Sequence, residues 1–122
     1  MEVQLNVRMV DGVPVLDVAG ELDIYTSPKL KSAMADLLGE GHAHFIVNLI
    51  NTTYLDSTAL SVLTAVLKQS QASGGNVGLI YTQPQIEKIF TITGLHEVFP
   101  IFRTEHDAVR AAQSWAQSAP KS

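Results

Sequence analysis

The residues that decide the fold are Phe45-Ile46-Val47-Asn48-Leu49-Ile50 and, a few positions on, Tyr54-Leu55-Asp56-Ser57-Thr58-Ala59-Leu60. The first run is nearly all apolar. A strand buried on both faces reads this way, as a central parallel strand does. From Thr58 to Ser73 the pattern turns helical. Leu60, Leu63 and Leu67 line one side, with Val62 and Val66 adjoining, and Ser61, Thr64, Lys68 and Gln71 form a polar stripe on the other. Gly74-Gly75 stops the helix. A short acidic loop carrying hydroxyl groups is therefore expected between a buried strand and a helix start, with Ser57 at its centre.

Upstream of this stretch, Val3, Leu5, Val7 and Met9 alternate with polar residues, as in a half-buried strand. Asp11-Gly12 then precedes Val13-Pro14-Val15-Leu16-Asp17-Val18, a strong two-residue hairpin signal. Pro14 has no amide hydrogen and is expected near an edge or bulge. In Gly20-Glu21-Leu22-Asp23-Ile24-Tyr25-Thr26-Ser27-Pro28, Thr26 or Ser27 is expected to accept from the amides of a helix start, with Pro28 in the first turn. Leu30, Ala33, Met34, Leu37 and Leu38 mark the helix, and Gly39 or Gly41 its left-handed end.

Downstream, Val77–Tyr81 reads as a further buried strand. Pro84–Thr93 reads as a short helix with Ile86, Ile89 and Phe90 inward and Gly94 as its stop. Val98–Phe102, with Pro100, reads as an edge strand. Thr104 and Asp107 resemble a capping box that opens a last helix with Ala108, Ala112 and Trp115 on one side. The order predicts one α/β domain over residues 1–116, with a flexible tail over 117–122. Its sheet is mixed and mostly parallel, of about five strands with an N-terminal hairpin, flanked by about four helices. In such a sheet the Gly20–Ser27 and Asn51–Ser57 loops leave strand C-termini on the same edge, where open α/β sheets place their sites. Asp23 and Ser57 are then neighbours.

Composition narrows the function. The 122 residues suit one domain, with 46% apolar residues for a core. The 8 basic and 12 acidic residues give a net charge of -4, and the basic residues do not cluster, so no nucleic-acid footprint is present. The absence of cysteine removes disulfide and thiol chemistry. Met1-Glu2-Val3 leads straight into alternation, without the pattern of a signal peptide. No run approaches the ~18 apolar residues of a membrane span.

The remaining constellations read as structure. Ser57 has no Gly-x-Ser-x-Gly elbow, and His42, His44, His96 and His106 fall in expected loops or a helix start, so a hydrolase triad is not supported. His42-x-His44 reads as a solvated loop and not a metal pair. Gly74-Gly75-Asn76-Val77-Gly78 precedes a strand and does not open a helix, so it is no phosphate loop. No catalytic residue, metal or cofactor is expected. Asp56 or Ser57 suits a helix cap on residue type alone. A serine at a helix start without a base also suits modification. Phosphate there would meet free amides and the positive helix end, and would alter the surface more than the fold.

Three stretches together resemble the STAS domain of bacterial anti-sigma-factor antagonists: Gly20-Glu21-Leu22-Asp23 with Thr26 and Leu30; Leu55-Asp56-Ser57-Thr58-Ala59-Leu60; and Gly94-Leu95 with Phe99. The resemblance implies a cytoplasmic, non-enzymatic partner switch. Such proteins bind an anti-sigma factor that is also a serine kinase, and thereby free a sigma factor for transcription. The kinase phosphorylates the serine corresponding to Ser57, with Thr58 as a secondary candidate, and a PP2C-type phosphatase resets it. The implied docking residues are Glu21, Asp23, Thr26, Asp56, Ser57, Thr58, Ser61 and Thr64. A STAS subunit of a transport assembly, or a module binding a small molecule or nucleotide, is the alternative.

Overall fold

The computed structural model describes residues 2–118. Among these, six strands and four helices run in the order β1 (Val3–Val10), β2 (Val13–Leu22), α1 (Ser27–Gly39), β3 (His44–Asn48), β4 (Thr52–Leu55), α2 (Ser57–Ala72), β5 (Asn76–Ile80), α3 (Pro84–Ile92), a single 3-10 turn (Leu95–Glu97), β6 (Ile101–Phe102) and α4 (Glu105–Ser118). The expected α/β architecture holds. β1 and β2 form the antiparallel hairpin, and every other pairing in the sheet is parallel. The order is β1-β2-β3-β5-β6, with β4 also paired to β2.

The hairpin turn has positive φ at both central residues, 50° at Asp11 and 83° at Gly12, as a two-residue connection matching the sheet twist requires. Pro14 lies inside β2, one position before the pairing with β3 begins at Val15. Its missing amide therefore costs the β2–β3 ladder nothing.

The sheet separates two apolar layers. On one face α1, α2 and α3 pack through Leu30, Met34, Leu63, Leu67, Ile86 and Phe90 onto Leu16, Val18, Phe45, Val47 and Leu79. On the other, α4 lays Ala108, Val109 and Ala112 over Val13, Val15, Ile46 and Ile80, with Trp115 alongside. β3 feeds both layers, since Phe45 and Val47 face one and Ile46 the other. That is why its sequence shows no alternation.

Three expectations need correction. β4 was not expected, and Tyr54 and Leu55 lie in it, not in a loop. The edge strand expected over Val98–Phe102 shrinks to Ile101–Phe102, because Leu95–Glu97 turn as a 3-10 helix and Pro100 follows. His44 opens β3 instead of sitting in a loop; its Nδ1 is shielded without a partner among the described residues, and burial pushes its pKa down. α4 spans Glu105–Ser118, and residues 119–122 of the tail expected over 117–122 lie outside the described residues. At the start of α4 the Asp107 amide donates to Thr104 Oγ1 at 3.2 Å, one half of the expected capping box.

Candidate functional site

The site forms where β2 and β4 end. Their register sets Leu22 opposite Leu55, both in the larger core. The Asp56 amide donates to the Leu22 carbonyl at 3.1 Å. The Asp23 loop and the Asp56–Ser57 helix start therefore emerge side by side on one sheet edge.

Long-range contacts build this edge. The chain turns sharply after β3, with the Thr52 amide donating to the Leu49 carbonyl at 2.9 Å. The buried Thr52 hydroxyl donates to the Val18 carbonyl at 3.0 Å. Gln83, just before α3, donates through Nε2 to both the Leu49 and Thr52 carbonyls, at 2.8 and 2.7 Å. The register shifts between Gly20 and Glu21, where Thr53 is the extra residue on β4. Gly20 has φ of 108°, and a Cβ there would stand 2.3 Å from the Glu2 carbonyl oxygen, so only glycine fits.

Between β2 and α1 the loop is only Asp23–Thr26, shorter than the expected Gly20–Ser27 segment. Asp23 Oδ1 accepts from the Tyr25 and Thr26 amides, each at 2.9 Å. The amide of Thr26, and then that of Tyr25, hold the Asp23 carboxyl below its ordinary range. The Thr26 hydroxyl accepts from the Asp23 amide at 2.9 Å and donates to the Glu21 carbonyl at 2.7 Å. Neither Thr26 nor Ser27 caps α1 with its side chain as expected. Thr26 is 3% exposed and braces the loop from beneath, and the Ser27 hydroxyl is buried without a partner among the described residues.

At α2 the division of labour differs. Asp56 is the cap: its Oδ1 accepts from the Thr58 and Ala59 amides at 3.0 and 3.2 Å. Ser57 is the first helical residue and is exposed. Its hydroxyl takes no part in the cap. The expectation that a phosphate on Ser57 would meet free amides is thereby modified. Two of those amides already serve a carboxylate, so the added charge would stand outward beside Asp56.

The other expected docking residues sit nearby with different exposure. Ser61 and Thr64 follow Ser57 along one side of α2, and their hydroxyls donate back to the Ser57 and Leu60 carbonyls at 3.0 and 2.8 Å. Ser61 is exposed, while Thr58 and Thr64 are half-buried. Glu21 lies opposite Tyr54 in register, and its Oε2 is shielded from solvent without a hydrogen-bond partner among the described residues.

Three large, exposed residues not named as docking residues from sequence lie on the two segments that form this edge. Ile24 is 62%, Tyr25 84% and Tyr54 50% exposed. Large apolar side chains held outward on short, hydrogen-bonded segments mark a contact surface. Their signal was present in the sequence only as apolar residues lying in an acidic loop. Gln83 left no signal at all, because its partners lie more than thirty positions away. No group of three or more His, Asp or Glu among the described residues could hold a metal ion. No helix there is long and apolar enough to cross a membrane.

A mixed sheet with an acidic loop and a capped, serine-bearing helix start on one edge defines a binding domain of the STAS class. The STAS-domain family model matches residues 4–108, and the chain belongs to that family. It is similar to the anti-sigma-B factor antagonist of Staphylococcus epidermidis, 32% identical over 99 residues, covering 80% of this chain and 92% of that protein. The anti-sigma-B factor antagonist of Staphylococcus aureus is 29% identical over 101 residues, covering 83% and 94%. Among solved structures, an anti-sigma factor antagonist from Mycobacterium paratuberculosis superposes with a TM-score of 0.85 at 28% identity, covering 92% of this chain and 95% of that one.

Proposed function

We propose that this protein is an anti-sigma-factor antagonist of the cytoplasm, switched by phosphorylation at Ser57. It binds an anti-sigma factor that is also a serine kinase, and so frees a sigma factor to direct transcription. The kinase then transfers phosphate from ATP to the Ser57 hydroxyl, and a PP2C-type phosphatase removes it. Relatives named as antagonists over most of their length support the role. The observation that carries the switch is the split of duties at α2. Asp56 takes the cap, and Ser57 is left exposed beside it, on the same sheet edge as the Asp23 loop.

In this reading Ile24, Tyr25 and Tyr54 supply the apolar contact area. Asp23, Asp56, Thr58, Ser61 and Thr64 form its polar surround, Glu21 offers an unspent acceptor, and Thr26 holds the loop in shape. Phosphate adds about -1.5 to -2 charges at the centre of that surface. Asp23 and Asp56 already make the neighbourhood acidic, so a docked face complementary to the unmodified site is repelled. Like-charge placement in an interface costs several kcal/mol, or ~100-fold or more in affinity.

The test incubates the protein with a kinase anti-sigma factor and ATP, then maps the modified residue by mass spectrometry. Phosphate is expected on Ser57, and Ser57→Ala is expected to bind the kinase and stay bound in the presence of ATP. Unchanged phosphate incorporation into Ser57→Ala overturns the site assignment. Incorporation at Thr58 alone moves the switch by one residue.

A further inference from the structure

The far edge of the sheet is unprotected. Among the described residues β1 pairs only with β2, in continuous register from Val3 to Val10 without a bulge. Edge strands are ordinarily blunted by lysine, proline, a bulge or shortness. β1 has eight residues, none of them lysine or proline. Its one charge, Arg8, is tied to Asp17 and Glu105, so it does not guard the edge.

The hairpin determines which backbone groups are free. A two-residue turn makes Val10 and Val13 a hydrogen-bonded pair, and such pairs then recur at every second residue. Arg8, Asn6 and Gln4 therefore spend their amides and carbonyls on β2; the Glu2 carbonyl, which accepts from the Glu21 amide at 3.2 Å, continues the series. The amides and carbonyls of Leu5, Val7 and Met9 face outward. The side chains of these three share one face of the strand; Val7 is 44% and Met9 57% exposed.

The geometry points to a second copy of this chain as the occupant, docked by antiparallel β1–β1 pairing about a two-fold axis at Val7. In that register Val7 faces Val7 of the second copy, and Leu5 faces Met9 in both directions. Every outward amide and carbonyl of the three residues is satisfied, and the exposed apolar side chains meet as cross-strand pairs. Arg8 falls opposite Asn6, so no like charges meet. Centring on Leu5 instead would leave Met9 outside the apolar match. The strand is thus complementary to itself, which an unrelated strand need not be. Because the paired strands run oppositely, the two Ser57 edges point to opposite ends of the joined sheet. Each remains open, which makes the assembly bivalent.

Sedimentation of the full chain over a concentration series tests this. The wild type is expected to move from the mass of one chain to that of two. Val7→Lys and Val7→Glu each place like charges face to face at the axis, raising the dimer Kd by ~100-fold or more. Mixing the two variants is expected to restore a heterodimer, because residue 7 then meets its opposite charge. Circular dichroism confirms that both variants are folded. On the unmodified chain, amide exchange at Leu5, Val7 and Met9 is expected to slow with rising concentration, which reads the same contact without substitution. A wild type that stays at the mass of one chain, including one that instead pairs an extended segment of another protein, overturns the proposal. Dimeric Val7→Lys, or a mixture that fails to pair, overturns the register.

Discussion

Two helix starts lie side by side on one edge of this sheet, and they use the same residue types to opposite ends. At α1, Asp23 Oδ1 gathers the Tyr25 and Thr26 amides, and the neighbouring hydroxyl, on Thr26, is buried and fully engaged. At α2, Asp56 Oδ1 gathers the Thr58 and Ala59 amides, and the neighbouring hydroxyl, on Ser57, is exposed and outside the cap. In both, a carboxylate gathers two backbone amides, those of the loop before α1 in the one case and those of the first turn of α2 in the other. What differs is where the hydroxyl points. Facing inward, it ties two strand-end backbone groups together; facing outward, it is available for chemistry done by another protein. A hydroxyl near a helix start is thus a brace or a handle according to its burial, and its residue type does not decide which.

The largest expected effect comes from breaking the brace. Thr26→Val keeps the shape of the side chain and removes the oxygen, stranding the Glu21 carbonyl and the Asp23 amide. Leaving buried polar groups unpaired costs about 1–3 kcal/mol. Urea unfolding should show a lower midpoint with an unchanged slope. Since Asp23 and Glu21 move with the loop, partner affinity is also expected to fall. A Thr26→Val protein with wild-type stability would erase the contrast between the two helix starts.

Their shared edge was legible in the sequence, but the burial of Thr26 was not. The apolar run Phe45–Ile50 and the helical stripe after Thr58 implied parallel strands, and parallel strands put the two loops together. Register supports this, with Leu22 opposite Leu55. β4 escaped notice because Thr52-Thr53-Tyr54-Leu55 is short and follows β3 after a tight turn. Its existence rests on the Thr52 hydroxyl at Val18 and the Gln83 amide at Leu49 and Thr52. Those contacts join distant residues and leave no local pattern. The same holds for Thr26, whose hydroxyl turns from its own helix toward the end of β2. Local spacing predicts which residues could cap a helix, and only tertiary pairing decides which one does.

A smaller effect is expected from removing the cap beside the handle. Asp56→Ala strips the Thr58 and Ala59 amides of their acceptor. Loss of such a cap typically costs ~1 kcal/mol. Asp56→Asn keeps an acceptor oxygen and should recover most of that stability. The pair of variants separates stability from charge. If Asp56 also helps the partner through its negative charge, Asp56→Asn will remain weak in binding while regaining its unfolding midpoint. Calorimetric titration with the kinase partner, run beside urea unfolding, reads both quantities.

The smallest effect on stability is expected at the residue with the largest proposed role. Ser57 is exposed and its hydroxyl serves no cap, while its carbonyl, which accepts from Ser61, is retained in any substitution. Ser57→Ala should therefore stay within ~0.5 kcal/mol of wild type in unfolding. The cap at Asp56 makes this possible, because it keeps the helix start satisfied whether position 57 bears a hydroxyl, a methyl or a phosphate. Ser57→Asp should be equally folded but weaker in binding, though a single carboxylate falls short of phosphate in charge. A Ser57→Ala protein destabilised as much as Thr26→Val would mean that Ser57, too, is a brace, and an exposed switch at α2 would no longer follow from the geometry.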